Sequence, residues 1–172
     1  MNYATIKKRD IANGPGVRVS LFVSGCTHRC PGCFNEIAWD FGYGEAFTPA
    51  VEEELLALME PEYISGLSLL GGEPFEPANQ RALLPFLKKV KERFPQKTVW
   101  CYSGYTLEEL QGESRARCGV TDEMLSLLDV LVDGRFVLEK KNIRLRFRGS
   151  ENQRLIDMNA TRERGEIQLW TD

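Results

Sequence analysis

VRVSLFVSGCTHRCPGCFN, residues 17–35, joins two different kinds of sequence. Its first seven residues, VRVSLFV, are largely β-branched and apolar, which predicts a strand over 17–23. Three cysteines follow in the polar loop CTHRCPGC, Cys26, Cys30 and Cys33, spaced C-x3-C-x2-C. Thiolates are soft ligands that suit zinc, copper(I) and iron–sulfur clusters. A structural zinc site normally closes with four ligands, usually from two separated pairs. Three thiols from one tight loop fit that poorly, and His28, two residues from Cys26 and from Cys30, is cramped for a common tetrahedron. Cys101 or Cys118 would have to swing in as a fourth ligand. A [4Fe–4S] cluster normally takes four cysteines. Three leave one iron open to a small molecule, so the loop predicts a reactive cluster rather than an electron carrier. The competing reading is a non-enzymatic zinc-binding interaction module.

Outward from this stretch, strand-like and helix-like segments alternate. TPAVEEELLALME (48–60) reads as a helix with Thr48 as N-cap and Pro49 in the first turn. GLSLL (66–70) is a short apolar strand running into GGEP (71–74). PANQRALLPFLKKVKERFP (77–95) places Leu83, Leu87, Val90 and Phe94 on one helical face, with Pro85 as a kink or a true start. TVWCY (98–102) and DVLVD (129–133) are further strands, with helices at TLEEL (106–110) and TDEMLSLL (121–128) between them. IRLRF (143–147) and EIQLW (166–170) also read as strands. This order predicts an α/β fold of parallel βα repeats. A closed eight-fold barrel needs about 250 residues, so 172 residues would form an incomplete, open one. Chemistry in such sheets lies at the C-terminal strand ends. The cysteine loop, GGEP and YSGY (102–105) all fall there.

The length fits one domain over residues 1–172. A net charge of −3 argues against nucleic-acid binding through bulk positive charge. No apolar h-region opens the chain and no apolar run approaches a membrane span, so a cytoplasmic location is expected. Five cysteines, an odd number, make a disulfide framework a poor reading in that reducing compartment. His28 is the only histidine, which excludes two-His metalloprotease and facial-triad sites. Cys101, in an apolar strand, reads as a buried thiol. Cys118 and the tail from Asp157 have no assigned role.

C-x3-C-x2-C after the first strand of a βα repeat, with aromatic Phe34 following the last cysteine, resembles the radical S-adenosylmethionine superfamily. NGPGVR (13–18), CTHRCPGCFN (26–35), YSGYTLEEL (102–110), LVDGRF (131–136) and RGSENQ (148–153) together resemble the activating proteins of anaerobic ribonucleotide reductase, over roughly residues 1–155. The resemblance implies a [4Fe–4S] cluster on Cys26, Cys30 and Cys33 whose open iron is chelated by S-adenosylmethionine. It implies cofactor contacts from Gly32, Cys33 and Phe34, and from the GGE motif, Gly71, Gly72 and Glu73. It places Ser103 and Asp133 near the ribose and the substrate peptide, although a turn serine and a strand-end aspartate serve as well on turn chemistry. The implied reaction cleaves S-adenosylmethionine reductively and moves a hydrogen atom from a glycine of the large reductase subunit. A flavodoxin-type protein would donate the electron, and no side-chain acid or base is required. An activase of another glycyl radical enzyme, or a radical enzyme acting on a small metabolite, is the alternative within the superfamily. Arg144, Arg146 and Arg148 would share one strand face, either solvated or docking the reductase.

Overall fold

The computed structural model describes residues 1–172. The strand that carries the cysteine loop lies inside a seven-stranded sheet. Strand β2 (Val17–Val23) pairs in parallel with β4 (Ile64–Gly71), β4 with β5 (Thr98–Tyr102), and β5 with β6 (Val130–Asp133). The crossovers carry α1 (Pro49–Met59), α2 (Pro77–Arg93), and the pair α3 (Leu107–Gln111) and α4 (Thr121–Ser126). These four strands are the predicted βα repeats. The purely parallel sheet is corrected, because antiparallel strands flank it on both sides. β1 (Asn2–Asp10) pairs with β2, and β7 (Arg154–Asp157) with β6. A two-residue β3 (Glu45–Ala46) lies outside β1, giving the order β3-β1-β2-β4-β5-β6-β7. At the β1 flank the reason is connection length: only six residues separate β1 from β2, enough to reverse the chain but too few for a parallel crossover.

Thr48 caps α1 as expected, its hydroxyl accepting from Val51 N–H. Helix α2 runs through Pro85 without a break. Pro85 and Arg81 are both exposed, so the carbonyl that loses its partner faces water. Short α5 (Met158–Arg164) follows β7 and ends at Gly165, which takes the left-handed conformation. Two expected strands are corrected. IRLRF is an irregular, turn-rich loop in which Asn142 Oδ1 accepts from Arg144 N–H and Phe147 has φ of +63°. Its arginines therefore do not share a strand face. EIQLW makes a single bridge, Leu169 to Ile156, although its chain does run beside β7.

Alternation along the strands divides the sheet into two faces. Val19, Leu21, Val23, Leu67, Leu69, Val99, Cys101 and Leu131 face the helices and join one large apolar core. Cys101 is thus the buried thiol expected of it. The opposite face carries Arg18, Ser20, Ser68 and Trp100 in its lower part. Arg18 is fully buried without a carboxylate beside it. It donates to Ser68 Oγ (2.9 Å), Thr98 Oγ1 (3.0 Å), Thr98 O (2.8 Å), Leu67 O (3.0 Å) and Pro15 O (3.3 Å). Burial lowers its pKa to about 10. Trp100 packs beside it and is covered in turn by Phe147 and Trp170.

Arg18→Ala would leave these acceptors unpaired around a cavity. Urea unfolding of the variant is expected to show a loss of about 3 kcal/mol or more; a loss below about 1 kcal/mol would mean the network carries little stability.

Candidate functional site

The upper part of the same face opens into a pocket of about 800 Å3, its mouth included. Phe22, Leu70, Tyr102 and Val132 form its floor, one from the C-terminal part of each parallel strand. The loops that follow those strands form its walls. All three loop cysteines, Cys26, Cys30 and Cys33, line it, as do Phe34, Gly71, Gly72, Glu73 and Ser103. Predicted site residues from three separate regions of sequence thus meet around one cavity.

The cysteine loop folds back on its own strand. Gly25 N–H donates to Ala38 O (2.7 Å) and Cys26 N–H to Trp39 O (3.2 Å), from the 3-10 turn Glu36–Trp39. Inside the loop, Arg29 and Gly32 have positive φ, and Asn35 N–H reaches Cys33 Sγ at 3.4 Å. The loop is then fastened to GGEPFE (71–76). Gly72 N–H donates to Val23 O and Glu73 N–H to Gly25 O, both at 2.8 Å. A Cβ on Gly72 would sit 2.6 Å from Gly25 O, so the close approach this glycine permits is to the chain's own cysteine loop. Glu76 Oε1 accepts from both Thr27 N–H (2.8 Å) and Thr27 Oγ1 (2.7 Å).

Glu73 is the hub. It is 1% exposed, and each carboxylate oxygen has two partners. Oε1 lies 2.8 Å from His28 Nε2 and accepts from Gly104 N–H (2.7 Å). Oε2 accepts from Phe75 N–H (2.8 Å) and Ser103 Oγ (2.9 Å). Ser103 Oγ in turn accepts from Tyr105 N–H, so its proton points to Glu73. The side chain of Glu73 therefore ties the cysteine loop to the loop after β5. Any contact from GGE to a ligand's ammonium group falls to backbone carbonyls, which keep free lone pairs. The His28 ring lies against Gly104, where a Cβ would come within 2.6 Å, and edge-on to Tyr105. His28 itself was not among the residues selected from sequence; the signal available was its place inside the cysteine motif.

Asp133 does not line the pocket. Its carboxylate accepts from Arg154 Nε (3.0 Å) and from Leu107 N–H (2.8 Å), bracing β7 and α3. Cys118 Sγ lies beside Gln80 Oε1 and Thr121, away from the cysteine loop.

Burial pushes the Cys26 thiol up to about 12, against hydrogen bonds from the His28 and Arg29 backbone, and burial raises Cys30 as well. Such thiols become thiolates when a thiophilic cation compensates their charge. No three His, Cys, Asp or Glu side chains are arranged to hold one metal ion. His28 Nδ1 and the Tyr102 hydroxyl are buried without partners, and both residues line the pocket. Unpaired polar atoms at a cavity wall suit a polar cofactor.

In Glu73→Gln an NH2 group must face two donors on one side of the hub. Urea unfolding is expected to show a loss of about 3 kcal/mol, and iron retained after reconstitution should fall. Wild-type stability with wild-type iron content would remove Glu73 from its fastening role.

A family model described as a 4Fe-4S single cluster domain matches residues 12–156. The anaerobic ribonucleoside-triphosphate reductase-activating protein of Haemophilus influenzae is 42% identical over 89% of this chain and 96% of its own length. That of Escherichia coli K12 is 39% identical over 89% and 96%. That of Enterobacteria phage T4 is 40% identical over 90% and 93%. This chain belongs to the family of anaerobic ribonucleoside-triphosphate reductase-activating proteins, with a 4Fe-4S single cluster domain.

Proposed function

We propose that this protein is a radical S-adenosylmethionine activase of anaerobic ribonucleoside-triphosphate reductase, working as one domain over residues 1–172. The observation that carries the reading is the pocket itself. Three thiols from one loop face a glycine-rich turn across a cavity at the C-terminal ends of parallel strands. Cys26, Cys30 and Cys33 would hold the [4Fe–4S] cluster, leaving one iron open for S-adenosylmethionine. Bound there, a reduced cluster and S-adenosylmethionine would supply one-electron cleavage chemistry, yielding methionine and a radical able to take a hydrogen atom from a glycine Cα of the reductase.

The chain's own residues bind, orient and shield. Glu73 and Glu76 hold the cysteine loop against GGEP. Phe34, Gly71 and Gly72 border the cofactor's space, and His28 Nδ1 and the Tyr102 hydroxyl offer unpaired polar atoms to it. Gly32 does not line the pocket and shapes the cysteine loop instead, at positive φ against Leu138. Ser103 acts through Glu73, and Asp133 acts through Arg154 rather than at the cofactor. No general acid or base is needed, because a hydrogen atom and not a proton moves. The sheet supports the partial-barrel reading: its end strands, β3 and β7, do not pair, so one flank stays open. A glycine on a polypeptide loop can enter there. No helix is long and apolar enough to cross a membrane.

The test is anaerobic reconstitution with iron and sulfide, reduction, and electron paramagnetic resonance with and without S-adenosylmethionine. The expected outcome is a [4Fe–4S]⁺ signal that changes when S-adenosylmethionine is added, then a glycyl radical on added reductase. Cys30→Ala should abolish both. A protein that takes up stoichiometric zinc and builds no cluster would sink the radical mechanism.

A further inference from the structure

Residues 135–148 hold six cationic residues and one glutamate, a net +5 within a chain of net −3. The loop they form is a built element. Its ends are joined by Glu151 N–H to Lys140 O (2.9 Å) and Asn142 N–H to Gly149 O (3.2 Å). Gln153 accepts from Gly149 N–H and donates to Gly134 O, holding both feet of the loop. Phe147 anchors it between Trp100 and Trp170.

Three of the six cations are engaged internally. Arg135 pairs with Glu109, Arg146 with Asp172, and Arg148 donates to the carbonyls of Glu151 and Gln153. Lys140, Lys141 and Arg144 are exposed, and none of them has a carboxylate within ion-pairing distance. Ile143, 90% exposed, stands among them.

This cationic loop touches the cysteine loop directly. Phe136 lines the pocket, and a Cβ on Gly32 would lie 2.8 Å from Leu138 Cδ1. From Lys140, two residues beyond Leu138, the covalent and van der Waals path to the cysteine ligands is short.

We propose that Lys140, Lys141 and Arg144 form the docking surface for a small acidic one-electron carrier protein that reduces the cluster. This rests on the cluster chemistry proposed above. One electron leaves the carrier and takes the cluster from the 2+ to the 1+ state; no atom is transferred. Redox partners use small, transient interfaces, and complementary charge raises their encounter rate. Unpaired cations beside the cluster loop match that need. The reductase, a polypeptide that must enter the open pocket, has a better apolar landing at Phe34, Ile37 and Phe41, all exposed on the cysteine-loop side.

The test compares the full chain with the triple variant K140E/K141E/R144E, both reconstituted, using purified reduced flavodoxin as the acidic carrier and dithionite as the small reductant. Stopped-flow absorbance reads cluster reduction, and NMR line broadening at low ionic strength reads binding of oxidised flavodoxin. Reduction of the wild type by flavodoxin is expected to slow with added salt. The triple variant should be slower by about tenfold or more at low salt and lose the line broadening. Its reduction by dithionite should be unchanged, which shows an intact cluster. Flavodoxin rates within twofold of wild type, with the same salt dependence, would overturn the proposal. So would a variant that keeps flavodoxin reduction but no longer binds the reductase, since the surface would then belong to that partner. Failure of dithionite to reduce the wild-type cluster would count against the cluster reading itself, separately from the docking surface.

Discussion

A buried carboxylate without partners is so costly that it either neutralises or recruits donors. Glu73 recruits four, from His28, Phe75, Ser103 and Gly104. Those residues belong to the loops after β2, β4 and β5, so one side chain fixes the relative position of three strand ends. Shifting any loop would strand a charge inside the protein. The rest of the site follows from that constraint. Gly72 must be glycine because the hub draws its turn onto Gly25, and Gly104 because the His28 ring lies on it. Glu76 repeats the device one turn later by holding Thr27. The loop that carries the three thiols thus gains rigidity from outside itself, as ligand shells generally do.

The same economy divides the inner face of the sheet. Below, Arg18 spans β2, β4 and the start of β5 through hydrogen bonds to main-chain and hydroxyl oxygens. Asp10 holds the turn beneath it through Asn13, Ala12 and Ser20. Trp100, Phe147 and Trp170 close the side, edge to face. Above, the floor turns apolar and the cavity opens. A polar, fully bonded plug holds its shape without filling the cavity, which an apolar core would tend to collapse into.

Much of this was legible in sequence where the signal is local. The four parallel strands are apolar runs, α1 announces itself by Thr48 and Pro49, and the cysteine spacing names its chemistry. What escaped depends on distant partners. β1 is rich in Lys and Arg, and becomes a strand because β2 offers it an edge. RLRFR alternates as a strand would, but Asn142 starts a turn there and Phe147 is pulled into left-handed geometry by the aromatic cluster. Glu73 and Ser103 were recognised as site residues, yet nothing in the sequence shows that they bond each other across 30 positions. Asp133 has the right place on its strand, but Arg154, 21 residues later, takes its carboxylate.

Edge management connects the fold to its use. A parallel sheet that stops after four strands exposes two unpaired edges, a hazard for aggregation. Here antiparallel β1, joined by a short turn, and antiparallel β7, reached through the long loop 134–153, cover those edges in place of further βα units. Barrel closure is thereby forgone, and the wall that more strands would have built is made by residues 134–153 instead: Gly134, Phe136 and Gln153 all line the pocket. A wall made of loop can carry charge on its outer side, as this one does. For the polypeptide substrate proposed above, the flank that the sheet leaves unpaired is the route of entry, and a closed ring of strands and helices would block it.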